Sequence, residues 1–220
     1  MDLHDAITAR RSVRGFRSDP VSRDVIVRVF AEAQLAPSWC NIQPWRVWVA
    51  AGPVRDRFIA AMEEAARTTT PTPDVPFPGE YPAPYDRHRK DCGKALYEAM
   101  GVARGDGPAR HAAWMRNFCA FDAPVVALVG IDTRFGLYAA LDVGCWLQTL
   151  LLAAAAEGLA TCAMASLATY PAVAREVLNI PEGTALLFGV AMGFDDAENA
   201  ANACRTTRSA LADNVVFVDG

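Results

Sequence analysis

The segment LYAALDVGCWLQTLLLAAAAEGLA, Leu137 to Ala160, decides the fold. It is apolar almost all round and long enough to cross a bilayer. Asp142, Gln148 and Glu157 interrupt it, and no basic flank follows. A charge inside hydrocarbon is costly, and a span is normally fixed by basic residues on its cytoplasmic side. A helix buried at the centre of a soluble protein, or of a dimer, satisfies the same pattern without that cost. We therefore expect no membrane span.

Working outward, continuous apolar runs flank this helix. APVVALVGI (Ala123 to Ile131) precedes it, rich in valine as a strand buried on both faces would be. LATCAMAS follows as a strand and turn, and ALLFGVAM (Ala185 to Met192) reads as another buried strand. WRVWVA, from Trp45, is a further strand candidate, and NVVFV, Asn214 to Val218, is the last. Helical patterns cover residues 3–9, 54–66, 86–100, 108–119 and 171–178. One more starts after Ser22, an N-cap candidate with Asp24 in the first turn, where a negative charge suits the helix dipole. Few strands among many helices predict an α+β arrangement round one small sheet, in a single domain spanning residues 1–220. TTTPTPDVPFPGEYPAP, Thr68 to Pro84, carries six prolines and is neither helix nor central strand. It reads as a linker or as an ordered lid, its aromatics favouring the lid.

With a net charge of −4, the chain is a poor general binder of polyanions, and no nucleic-acid partner is expected. Cysteines stand at 40, 92, 119, 145, 162 and 204 with no C-x-x-C pair, and histidine occurs three times. That pattern offers no metal-ligand spacing and suits a reducing cytoplasm. No G-x-G-x-x-G, G-x-S-x-G or Walker loop is present.

Four stretches concentrate chemistry. RRSVR places Arg10, Arg11 and Arg14 round Ser12. Planar guanidinium forks match phosphate oxygens, although a solvated basic turn has the same composition. APSWCNIQPW (Ala36 to Trp45) is a loop stiffened by Pro37 and Pro44, with Ser38, Asn41 and Gln43 as polar partners and Trp39 as an aromatic face. It suits a flat polar ligand or an ordinary helix-to-strand connection. GLATCAMASL (Gly158 to Leu167) is dominated by small residues, which permit close approach of backbone to a planar ligand or close helix–strand packing. NACRTTR (Asn202 to Arg208) adds Arg205 and Arg208, far in sequence from the first cluster. Two basic clusters in an acidic chain suit convergence on one phosphate.

Taken in order, these stretches resemble the flavin-dependent nitroreductase family. The matching residues are Arg10, Arg11, Ser12, Arg14 and Phe16; then Ala36, Pro37, Ser38, Asn41, Gln43, Pro44 and Trp45. Asp142, Gly144 and Gln148 follow, then Gly158, Leu159, Thr161 and Cys162, and finally Asn202, Arg205 and Arg208. The resemblance implies a small mixed sheet surrounded by helices, a homodimer with FMN at the subunit interface, and a C-terminal arm adding a strand to the partner. It places Arg10, Arg11, Ser12, Arg14, Arg205 and Arg208 at the flavin phosphate and ribityl chain. Gln148 lies on the central helix, and Pro37, Ser38, Trp39 and Asn41 come from the partner subunit. Ala163, Met164, Ala165 and Ser166 lie beside the isoalloxazine ring. Many relatives carry glutamate and glycine, or proline and glutamine, in that last segment, so here only a backbone donor to the ring is expected.

The implied activity is ping-pong transfer of reducing equivalents from NADH or NADPH to a planar, electron-poor acceptor, above all a nitroaromatic going to its hydroxylamine. The flavin carries the chemistry and no catalytic side chain is required. The alternatives within the resemblance are flavin fragmentation, reductive dehalogenation, oxidation of a biosynthetic intermediate, and flavin binding without turnover. The segment at about residues 68–118 is similar to relatives acting on nitrobenzoates, through Arg89, Cys92, Gly93, Leu96, Tyr97, Gly101 and Arg104. It is expected to wall the substrate pocket, with Trp39, Tyr81, Tyr85, Trp114 and Phe118 as candidates to stack on a ring. Each of those aromatics suits a core or an interface equally well.

Overall fold

A computed structural model describes residues 1–218 of the chain. Its strands are β1 (Arg46–Ala51), β2 (Val125–Asp132), β3 (Ala160–Met164) and β4 (Thr184–Gly193). They form one sheet in the order β1-β2-β4-β3, and every strand pair is antiparallel. This corrects the expectation of a mixed sheet. The helix after β2 does carry the chain back so that β3 runs parallel to β2, but β4 inserts between them. Each neighbouring pair is therefore antiparallel.

The helices are α1 (Leu3–Ala9), α2 (Arg23–Ala33), α3 (Gly52–Thr68), α4 (Tyr85–Ala99), α5 (Gly107–Met115), α6 (Leu137–Ala156), α7 (Pro171–Leu178) and α8 (Leu211–Asn214). Ser22 caps α2, its hydroxyl accepting from the Val25 N–H at 3.4 Å. Successive residues of β2 feed opposite layers because side chains alternate along a strand. Val126 and Leu128 pack with Phe58, Ile59 and Met62 of α3. Val125, Ala127 and Val129 pack with Ile26 and Val29 of α2 and with Trp146 and Leu150 of α6. A strand buried on both faces has to be apolar at every position, as the valine-rich run is.

Helix α6 is the long apolar segment. By length and hydropathy it would also suit a membrane span, but Ala139, Val143, Trp146, Leu150 and Ala153 bury one face against α2 and the sheet. Trp146 stacks on Trp45 with ring centroids 6.4 Å apart. The helix ends in a Schellman turn: Gly158 takes φ +75°, Leu159 N–H donates to the Ala154 carbonyl at 2.8 Å, and Gly158 N–H to that of Ala155 at 3.0 Å. Its opposite face, with Leu137, Tyr138 and Leu141, is exposed.

Two further segments complete the frame. The proline-rich stretch is anchored near its start. Thr72 N–H donates to the Thr169 carbonyl at 3.1 Å, and Asp74 pairs with Arg175 at 2.8 Å while accepting from the Leu186 N–H at 2.9 Å. Beyond Val75 it runs exposed to α4. The C-terminal NVVFV joins no strand of this sheet: Asn214 closes α8, and Val216, Phe217 and Val218 are exposed.

Candidate functional site

The N-terminal basic cluster is placed by strand pairing. After α1 the chain is extended, and Ser12 pairs in parallel with Thr161 on the outer edge of β3, Val13 N–H donating to the Thr161 carbonyl at 3.0 Å. Farther along, Phe16 pairs with Asp195 just beyond β4. In an extended segment, residues 10, 12 and 14 share one side and residues 11 and 13 the other. Val13 accordingly enters the core.

Arg11 is drawn into an ion pair with Asp195, and its second terminal nitrogen donates to the Asn202 carbonyl at 2.8 Å. Arg205 donates to the same carbonyl at 2.7 Å. Arg14 makes only a 3.4 Å contact to the Ser12 carbonyl, and Arg208 bonds its own turn at Thr206 and Thr207. Arg10 donates its backbone N–H to the Ala6 carbonyl at 3.0 Å, and its guanidinium has no hydrogen-bond partner among the described residues.

These side chains meet in one cleft of about 670 Å³, lined by Arg10, Arg11, Ser12, Arg14, Arg205 and Arg208, with Gln148 from α6. Residues almost two hundred positions apart thus form a single guanidinium-rich wall. Arg10, Arg14 and Arg208 have no carboxylate partner among the described residues, and beside the Ser12 hydroxyl they are suited to an anion with several oxygens.

Strand β3 leads away from this wall. At about 3.3 Å per residue, Met164 lies about 10 Å from Thr161. There Met164 points into the core, whereas Ala163 and Ala165 are exposed. The Ser166 hydroxyl is buried with no hydrogen-bond partner among the described residues. Such an orphan is costly unless something binds it.

The loop after α2 does not reach the arginine cleft of its own chain. Pro37 instead borders an apolar groove of about 650 Å³ along the exposed face of α6, with Leu137, Leu141, Gly144 and Gln148. Gln148 therefore belongs to both clefts. The loop is held by Asp142, the carboxylate that interrupts α6, which accepts from the Trp39 N–H at 3.0 Å. The Ser38 hydroxyl accepts from the Gln43 N–H at 3.0 Å. Cys40, Asn41 and Gln43 all take positive φ (48°, 54° and 46°), and strain of this kind clusters where a loop does more than connect.

A sequence model described as the nitroreductase family matches residues 7–194. The chain belongs to the nitroreductase family. It is 33% identical to a 4-nitrobenzoate reductase of Nocardioides sp. (strain LMS-CY), over 99% of this chain and 91% of that protein. Among solved structures, the FMN-dependent nitroreductase NfnB from Mycobacterium smegmatis in complex with NADPH superimposes with a TM-score of 0.95 at 34% identity, covering 98% of this chain and 97% of that one. The FMN and NADPH-dependent nitroreductase NfnB from Sphigopyxis sp. strain HMH gives 0.96 at 31% identity, with both chains covered completely.

Within this family member the aromatic candidates separate. Trp114 borders a small cleft of about 200 Å³ between α4 and α5, which shares Arg14 with the arginine cleft. Tyr81 and Tyr85 are exposed, Tyr81 beneath the Arg89 guanidinium at 5.4 Å. Trp39 is 60% exposed and meets Tyr138 of α6 edge-on at 4.8 Å. Phe118 must be corrected: it is 1% exposed, packed between Trp114 and Tyr170, and is core rather than pocket wall. The two aromatics, four residues apart, face different ways because α5 ends at Met115 and the chain turns inward. Arg116, another lining residue of the small cleft, is already paired with Asp122 at 2.7 Å; burial opposes its charge, but Asp122 together with Cys119 and Glu63 more than compensates and holds its pKa up. Asp195 was missed by the sequence reading, since nothing local marks an aspartate just beyond a strand as the partner of an arginine near residue 10. Among the described residues no group of acidic, histidine and cysteine side chains could hold a metal.

Proposed function

We propose that this protein is an FMN-dependent oxidoreductase that takes reducing equivalents from NADH or NADPH and passes them to planar, electron-poor acceptors, above all nitroaromatics. The observation that carries the reading is the convergence of Arg10, Ser12, Arg14 and Arg208, from both ends of the chain, on one cleft beside β3. The chemistry of that donor set fits a phosphate monoester. The orphaned Ser166 hydroxyl, a strand's length away, supplies an unsatisfied polar atom on the scale of a flavin mononucleotide.

In this arrangement Arg10, Arg14 and Arg208 neutralise the phosphate and Ser12 donates to it. Arg205, held on the Asn202 carbonyl, keeps a fourth positive charge nearby. Gln148 would hold the ribityl end, and the backbone at Ala163–Ser166 would hold the ring. FMN when bound supplies hydride and electron transfer. The protein's part is to position the ring, exclude water and stabilise charge. Donor and acceptor use one place in turn, which gives ping-pong kinetics, with the hydroxylamine as product.

The exposed apolar face of α6 supports a homodimer, because a patch bearing Leu137, Tyr138, Leu141 and Trp39 is costly in water. A second copy seated there brings Ser38, Trp39 and Asn41 near the first copy's flavin. Its exposed tail at 215–218 is free to add a strand to the neighbour's sheet. The insertion at about 68–118, with Trp114, walls the acceptor pocket, and Tyr81, Tyr85 and Trp39 are its outer aromatics. Six free thiols among the described residues suit a cytoplasmic protein.

The test is spectroscopic. Purified protein mixed with FMN should retain a yellow chromophore through gel filtration. NADH or NADPH should bleach it, and 4-nitrobenzoate added without oxygen should restore the colour. Protein that takes up no FMN would sink the proposal. Intersecting rather than parallel initial-rate lines would remove the ping-pong part alone.

A further inference from the structure

Asn202 is a neutral side chain at the centre of a cationic site, and it is 4% exposed. Its amide oxygen accepts from the Arg14 N–H at 2.6 Å. Its amide nitrogen shares two protons among the Gly15 carbonyl at 2.7 Å, an Asp195 carboxylate oxygen at 2.9 Å and the Asp196 carbonyl at 3.0 Å. Its backbone carbonyl accepts from Arg11 and from Arg205 at 2.8 and 2.7 Å. Among the described residues, every side-chain hydrogen bond between the first arginine cluster and the second involves this residue or Asp195, beside one backbone bond from the Asp196 N–H to the Gly15 carbonyl at 3.2 Å. The Gly15 backbone is pressed against the Asn199 side chain at the same point. A Cβ on Gly15 would stand 2.2 Å from the Asn199 side chain, so glycine is required for the approach.

We infer that Asn202, braced by the Arg11–Asp195 ion pair, is a positioning residue that sets the spacing of the arginine clusters and thereby makes the site select a phosphorylated flavin over an unphosphorylated one. The inference rests on the FMN reading above and names what confers its phosphate selectivity. The physical reason lies in charge. Cationic side chains lining one cleft repel each other, and without a rigid anchor the two chain segments relax apart. An amide serves as anchor because it both donates and accepts and adds no charge. An aspartate of the same shape keeps the acceptor for Arg14 but turns a carboxylate toward three acceptor oxygens, one of them on Asp195. Arg11 then acts through Asp195 and Asn202 and does not itself contact the phosphate, which divides the roles of the three N-terminal arginines.

The experiment compares FMN with riboflavin, which lacks only the phosphate, by quenching of flavin fluorescence on the full-length protein. Wild type is expected to prefer FMN by at least tenfold. In Asn202→Asp the FMN dissociation constant should rise tenfold or more, while that of riboflavin stays within about twofold. Asn202→Ser, whose shorter hydroxyl cannot span the amide's partners and which adds neither charge nor bulk, should lose discrimination in the same direction and serves if the aspartate variant does not fold. Parallel weakening of both ligands would assign Asn202 a merely structural role and overturn the inference, as would wild-type FMN affinity in either variant. A wild-type protein with no preference for FMN over riboflavin would overturn the phosphate reading itself, and the inference with it.

Discussion

Arg208→Ala separates ligand binding from folding more cleanly than any other change at the site. The Arg208 guanidinium is exposed and bonds only its own turn, at 3.1 Å to the Thr206 hydroxyl and 2.9 Å to the Thr207 carbonyl. Removing such a group changes stability by about 0.5 kcal/mol or less. A charge-assisted contact to phosphate is worth about 1.5–3 kcal/mol, so FMN affinity should fall by about 10- to 150-fold. Arg11→Ala provides the contrast. It strips the partly buried Asp195 carboxylate of its cationic partner and the Asn202 carbonyl of one of its two guanidinium donors, at a cost of about 1–3 kcal/mol in folding. The assay is a flavin titration at fixed ionic strength beside urea unfolding of the flavin-free protein. The expected pattern is a large change in FMN affinity with an unmoved urea midpoint for Arg208→Ala, and a clearly lowered midpoint for Arg11→Ala. Unchanged FMN affinity in Arg208→Ala, or a lowered midpoint, would refute the division of labour.

Three other outcomes follow from the same geometry. Phe118→Ala should destabilise the fold by about 3–5 kcal/mol in urea unfolding, because the ring is fully buried; a stable variant with only an altered KM would return Phe118 to the pocket wall. Cys145 lies on the exposed face of α6, so peptide mapping after maleimide treatment should find it labelled in dilute, dissociated protein and protected in the dimer; equal labelling in both would move the interface elsewhere. Burial raises the pKa of the Cys119 and Cys162 thiols above the ordinary 9.0, so above that pH the native state holds protons that the unfolded chain has lost. Stability should fall as pH rises through and beyond 9, and Cys162→Ala should flatten the fall; identical unfolding free energies at pH 8 and pH 10 would contradict this.

Much of the proposed site was legible because phosphate recognition demands a recognisable residue type. Arginines near Ser12 and again near Asn202 stand out in an acidic chain, and the cleft does gather them. The roles within the cluster were not legible. Whether an arginine faces a ligand or an aspartate depends on which edge its extended segment pairs with, and here that edge is β3, about 150 residues away. Trp114 and Phe118 carry equal aromatic signal four residues apart, yet the end of α5 between them sends one outward and the other into the core. The mixed sheet implied by the resemblance is antiparallel within this chain, because β4 takes its place between β2 and β3, and no local pattern in the strands states that order.

The sequence by itself determined what is local or periodic. It set the helices with their caps, the strands that must be apolar on both faces, and the residue types that an anion site requires. Those properties depend on neighbours within a few positions and on side-chain chemistry. Tertiary structure alone decided the order of strands, the inward or outward aim of each arginine, and the place of Asn202 between them. Hydrogen bonds that join residue 14 to residue 202 have no trace in either segment, since each finds its partner only after the sheet has brought the two together.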